Sequence, residues 1–205
     1  MITTIIDYGT GNLRSVQNML KSIGVASSIA RNSREIRDAS RLILPGVGHF
    51  GFGMKELVQR DLIGPLNEKV LEQKTPILGI CLGAQLLTRS SEEGETEGLG
   101  WVRADTRRFD ATKLSADLRI PHMGWADTTF RPNSKTLNSP SELPRFYYVH
   151  SYHIVCDSEV DVLCTAVHGY TFVAGVQNAN IAGVQFHPEK SHRFGKNFLR
   201  TFFQE

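Results

Sequence analysis

Cysteine is scarce in this chain: three in 205 residues, Cys81, Cys156 and Cys164, with no CxxC pair and no Cys/His ligand spacing. An odd, scattered set argues against a disulfide framework and against a zinc site, and it fits a reducing compartment. Long apolar runs are missing too. No stretch approaches the roughly 20 apolar residues of a membrane helix, and the N-terminus carries Asp7 where a signal peptide would have basic and long apolar regions. The expectation is a cytoplasmic protein with no membrane contact. Charge of one sign is equally absent. Lys and Arg number 23 against 21 acidic residues, and they are scattered, which gives no reason to invoke nucleic acid. Repeats, low-complexity tracts and linkers are not seen, so residues 1–205 are expected to form a single domain.

What is present is an alternation of short β-branched runs with helical patterns. Residues 2–7 read as a strand, followed by Leu13, Val16, Met19, Leu20 and Ile23 at helical spacing, with Gly24 as the stop. Residues 27–30 form a second strand, with Ser33 as the N-cap of the helix after it. Residues 41–44 form a third, ending at Pro45-Gly46; a long helix is expected over 54–73. Residues 76–80 lead directly into Cys81 and a helix to about Ser90. Strands separated in this way imply βαβ units and a mostly parallel open sheet flanked by helices, an α/β fold whose sites lie at the carboxyl ends of strands. From Trp101 onward the runs 145–149, 160–167, 172–177 and 181–186 suggest a strand-rich, partly antiparallel half. Phe194, Phe198 and Phe202 then share one face of a last helix, as core packing.

Three segments carry chemistry. Gly79-Ile80-Cys81-Leu82-Gly83 has the form of a nucleophile elbow with cysteine in place of serine. A side chain on so sharp a strand-to-helix turn requires glycines two residues away for neighbouring backbone to pass. His187-Pro188-Glu189 follows a strand, and Pro188 favours a geometry in which both side chains lie on one side, so that the Glu189 carboxylate orients the His187 base. Pro45-Gly46-Val47-Gly48 can point backbone N–H groups at an oxyanion, together with the N–H of Leu82. Each alone has an ordinary reading: a buried structural cysteine, a surface salt bridge, a strand-to-helix loop. Together they meet the requirements of acyl transfer through a thioester. Gly9-Thr10-Gly11 hints at a dinucleotide loop, but Arg14 stands where the third glycine belongs. The histidines at 122, 150, 153, 168 and 192 show no metal-ligand spacing, and neither metal nor cofactor is expected.

With these residues in view the chain resembles the class I glutamine amidotransferases over nearly its whole length, and specifically the glutaminase subunits of imidazole glycerol phosphate synthase. The carriers are residues 7–16 (DYGTGNLRSV), 45–48 (PGVG), 79–87 (GICLGAQLL), 121–125 (PHMGW), 148–152 (YVHSY) and 183–191 (GVQFHPEKS). The resemblance implies that Cys81 attacks the side-chain amide of glutamine while His187 and Glu189 manage the proton, that Val47, Gly48 and Leu82 line the oxyanion hole, and that Gln85, Glu93 and the Ser151-Tyr152 backbone hold the substrate. It implies a heterodimer with a (β/α)8 barrel cyclase subunit that accepts the ammonia in histidine biosynthesis. Asn12, Pro121, His122, Met123, Gly124, Trp125 and Lys190 would lie at or near the contact, with allosteric coupling across it. Two departures from the family pattern are Ala126, where Asn is usual, and Ala84, where Met is common. Readings that stay open are a glutaminase serving a sugar amidotransferase in surface polysaccharide assembly, a cysteine hydrolase or peptidase, and a catalytically silent scaffold.

Overall fold

The computed structural model describes residues 2–131 and 143–204. Strands β1 (Thr3–Ile6), β2 (Ser27–Ala30), β3 (Leu42–Gly46) and β4 (Ile77–Cys81) form with β13 (Ile181–Val184) a parallel sheet in the order β2-β1-β3-β4-β13. These strands are near-continuous apolar runs because both faces are covered. Alternation sends Ile6, Leu42, Leu44 and Ile77 to one cluster and Ile5, Ile43, Leu78 and Ile80 to the other. The first cluster is completed by helices α3 (Phe50–Gln59), α4 (Ile63–Asn67) and α5 (Leu82–Leu86), and the second by α1 (Leu13–Ser22) and α6 (His192–Gln204). The Phe198 and Leu199 side chains of α6 are fully buried there, with Phe194 and Phe202 at the margin.

Beyond β13 the sheet is extended by antiparallel pairings, except where β5 joins β7 in parallel. From β13 the order continues through β12 (Tyr170–Asn178), β10 (Tyr152–Cys156) and β7 (Ala104–Arg108) to the two-residue strands β5 (Ser90–Ser91) and β6 (Thr96–Glu97). A branch leaves β12 through β11 (Val162–His168), β8 (His122–Phe130) and β9 (Arg145–His150).

Several boundaries differ from the sequence reading. The helix expected over 54–73 is interrupted: Asp61 adopts φ +53° after the Arg60 amide closes on Glu56, and α4 then runs into a π-helical turn at Glu68–Glu72. The helix after Cys81 stops at Leu86, because the chain swings into the sheet with Arg89 N–H donating to Ala104 O. The cap of α2 (Ser33–Arg37) is Asn32, whose side chain accepts from the Glu35 N–H, and Ser33 is already helical. Strands β7, β8 and β10 were not foreseen. In β8 it is burial that alternates and not polarity, with the apolar Met123 and Trp125 exposed beside the buried His122, so residue type gives no strand signal there.

Candidate active site

Cys81 ends β4 and caps α5, with φ 53° and ψ −111°, a conformation rare for a non-glycine residue. The neighbouring glycines allow it. A Cβ on Gly83 would stand 1.7 Å from the Leu44 carbonyl oxygen, and one on Gly79 would stand 2.7 Å from Ala84 Cα. Ala84, one of the departures from the family pattern, is therefore buried under the elbow against Gly79 and Gly183. Because β13 pairs with β4, the segment after β13 emerges beside the elbow, and His187 and Cys81 line one cavity of ≈ 370 Å³.

His187 is held on three sides. Its N–H donates to Tyr147 O at 2.9 Å, its carbonyl accepts from the Ser191 hydroxyl at 2.6 Å, and its Nδ1 lies 2.7 Å from Glu189 Oε1. The other ring nitrogen, Nε2, is buried and makes no well-formed hydrogen bond among the described residues. Burial by itself lowers the imidazole pKa, but interaction with Cys81 and then Glu189 outweighs it and raises the value to about 10.

The remaining candidates fall into three groups. Val47, Gly48, Leu82, Gln85, Glu93, Pro121, Ser151 and Tyr152 line the same cavity. Their backbone and side-chain groups are partly engaged with the protein: Val47 N–H donates to Thr10 Oγ1 at 3.3 Å while the Thr10 hydroxyl donates to Val47 O. Glu93 Oε2 accepts from the Phe50 N–H at the start of α3, at 2.7 Å. The Ser151 carbonyl accepts from Phe109 N–H, and the Tyr152 carbonyl accepts from Gln85 Nε2. Met123, Trp125 and Lys190 form an exposed surface beside it, where Trp125 stacks on His192 at 5.5 Å and the Lys190 ammonium sits over Tyr147. Asn12 is exposed but caps α1 by accepting from the Ser15 N–H. His122 is not on that surface. The alternation of β8 turns it inward onto His150, at 3.2 Å, with Gly124 half-buried and Ala126 packed against the inner cluster.

The sequence reading passed over Gln185, which is fully buried with its Nε2 3.7 Å from Cys81 Sγ. Its signal was present: one amide inside an otherwise apolar strand segment, two residues before His187. Among the described residues no group of three or more His, Cys, Asp or Glu side chains could hold a metal ion, and no helix is long and apolar enough to cross a membrane.

The glutamine amidotransferase class-I family model matches residues 4–205. The chain belongs to the class I glutamine amidotransferases. Curated relatives in this family include an imidazole glycerol phosphate synthase subunit HisH 2 from Methanococcus maripaludis, 47% identical and covering 98% of each chain. A subunit of the same name from Pseudomonas aeruginosa is 42% identical, again over 98% of each chain. Among solved structures, PurLQS from Thermotoga maritima superposes with a TM-score of 0.73 at 20% identity, over 99% of this chain and 97% of that one. At that identity it shows a shared fold and nothing finer.

Proposed function

We propose that this class I amidotransferase is the glutaminase subunit of an imidazole glycerol phosphate synthase, with residues 1–205 acting as one catalytic unit. The observation that carries the reading is the convergence of Cys81 and His187 on one cavity, with Glu189 hydrogen-bonded to the imidazole from behind, in a chain whose relatives bear that subunit's name. Glutamine enters with its side-chain amide beside Cys81, and Gln85, Glu93 and the 151–152 backbone line its seat. His187 takes the thiol proton; sulfur bonds to the amide carbon, and its charge passes to the carbonyl oxygen, stabilised by N–H groups of Leu82 and the 45–48 loop. As the C–N bond breaks, His187 gives the proton to the leaving nitrogen, and ammonia departs. Water then attacks the thioester, releasing glutamate and restoring the cysteine.

Ammonia in neutral water is mostly ammonium and no nucleophile, which is the chemical reason for a docked acceptor. The exposed Met123 and Trp125, flanked by Lys190, suit the contact with a (β/α)8 barrel cyclase subunit of histidine biosynthesis. The Val47 peptide, tied to Thr10, is the element whose reorientation would let the partner switch the glutaminase on. The test is reconstitution with such a barrel subunit. Glutamine-dependent synthesis that disappears in Cys81→Ala while synthesis from ammonium salts persists supports the reading. Activation by a sugar amidotransferase, and by no cyclase, would move the chain to the polysaccharide branch.

A further inference from the structure

Gln185 lies directly before Phe186 and His187, with its backbone N–H tied to Ala174 O at 2.9 Å and its side chain fully enclosed. An enclosed amide needs both of its ends partnered. Its Oε1 accepts from Gln85 Nε2 at 3.0 Å, and its Nε2 points at Cys81 Sγ, 3.7 Å away.

Which end of each amide is oxygen follows from one group that has no proton to give, the Tyr152 carbonyl. Gln85 approaches that carbonyl at 3.0 Å, so it must present its NH2 there. The same NH2 supplies the proton for Gln185 Oε1, which leaves the Gln185 NH2 for the sulfur. A second arm reaches the same carbonyl: His150 Nδ1 is 2.7 Å from Tyr152 O and must donate. Burial keeps His150 neutral, so its Nε2 accepts, and His122 Nδ1, 3.2 Å away, donates to it. Every proton in the chain from His122 to Cys81 is thereby assigned by a single backbone oxygen.

We infer that Gln185 is a catalytic residue of this site, donating a side-chain N–H to the Cys81 sulfur to stabilise its thiolate, with Gln85 and His150 as positioning residues that fix the direction of that donation through the Tyr152 carbonyl. The inference rests on Cys81 being the nucleophile. The donor acts on the attacking thiolate and again when the thioester collapses and charge returns to sulfur as the leaving group.

The experiment is alkylation of Cys81 by iodoacetamide at neutral pH, followed by mass spectrometry, beside glutamine turnover in the reconstituted complex. A tenfold loss of thiolate is partly offset by greater intrinsic nucleophilicity, so Gln185→Met is expected to alkylate about threefold more slowly. In Gln185→Glu, which keeps the shape and the acceptor oxygen but replaces the donor, the loss is expected to exceed about tenfold. Turnover should fall in kcat, with KM within about twofold, as for an interaction made with the reacting atom. Where Gln185→Met lacks a native unfolding transition, the isosteric Gln185→Glu decides. Wild-type alkylation rates in the folded variants would overturn the inference and leave the glutaminase reading intact. Slower alkylation in a protein that hydrolyses no glutamine with its partner would do the reverse.

Discussion

His187 Nδ1 stands 2.7 Å from Glu189 Oε1, in a pair whose side chains are 1% and 4% exposed. Only Pro188 separates them, and the tight turn Pro188–Lys190 brings the carboxylate under the ring. A hydrogen bond so enclosed fixes the orientation of the ring and leaves Nε2 for the cysteine. Glu189→Gln keeps the shape but loses the charge, and kcat for glutamine hydrolysis in the complex is expected to drop about 10²- to 10⁴-fold. A change confined to KM would contradict the assigned role.

Cys81, and after it Glu189, act through His187 to set a pH dependence of stability. In the unfolded chain the His187 imidazole titrates near 6.5, and in the folded protein it is raised to about 10. The folded state therefore binds this proton more tightly, so the contribution is complete below about pH 6.5 and is lost as the pH rises through 10. Unfolding followed from pH 6 to pH 10 should show Tm falling, and Glu189→Gln should flatten that fall. An identical slope in wild type and variant would refute the linkage.

The elbow glycines can be tested against a glycine that does no such work. Gly83→Ala places a methyl 1.7 Å from Leu44 O, a backbone atom that cannot move aside. The cost is expected to exceed about 3 kcal/mol by urea denaturation. Gly64, in α4 with none of the described residues within 4 Å of an added Cβ, should tolerate alanine with a change of at most about 1 kcal/mol in either direction. Equal effects at the two positions would remove the packing argument.

Thr10 binds both the N–H and the carbonyl of Val47 through one hydroxyl. Thr10→Val deletes both bonds at nearly constant volume. If that tie restrains the loop, freeing about 1 kcal/mol should raise partner-independent glutamine hydrolysis about fivefold. Unchanged or lower basal activity would show that the contact does not hold the loop back.

Trp125 is 41% exposed, beside Met123 at 63%. Trp125→Ala is expected to weaken association with the barrel subunit by about 2 kcal/mol, roughly 30-fold, by titration calorimetry. Tm of the isolated chain should shift by no more than a few degrees. A variant that binds the partner with undiminished affinity would place the contact elsewhere.

The parallel half is legible in the sequence because its signals are local. Ile5-Ile6, Leu42-Ile43-Leu44 and Ile77-Leu78 are apolar without alternation, as strands covered on both faces must be, and glycine or proline punctuates each of them. The antiparallel half was harder to delimit. His122–Phe130 alternates in burial but not in polarity, and its strand character depends on pairing with Arg145–His150 across residues distant in the chain. His122 shows the consequence: the resemblance puts it on the partner surface with the adjacent, exposed Met123, and a one-residue alternation turns it into the interior.

By itself the amino-acid order determined which groups could do chemistry: a cysteine between glycines at a strand end, and a histidine one proline away from a carboxylate. Those requirements are short-range, set by backbone sterics that a few neighbouring residues satisfy. Tertiary structure alone decided that the 81 and 187 segments meet, because register between β4 and β13 is a long-range pairing. It alone decided, too, the polarity of the amide chain from Gln85 through Gln185 to sulfur. The direction of those hydrogen bonds comes from the Tyr152 carbonyl, an acceptor that every residue carries and that no sequence motif can reveal.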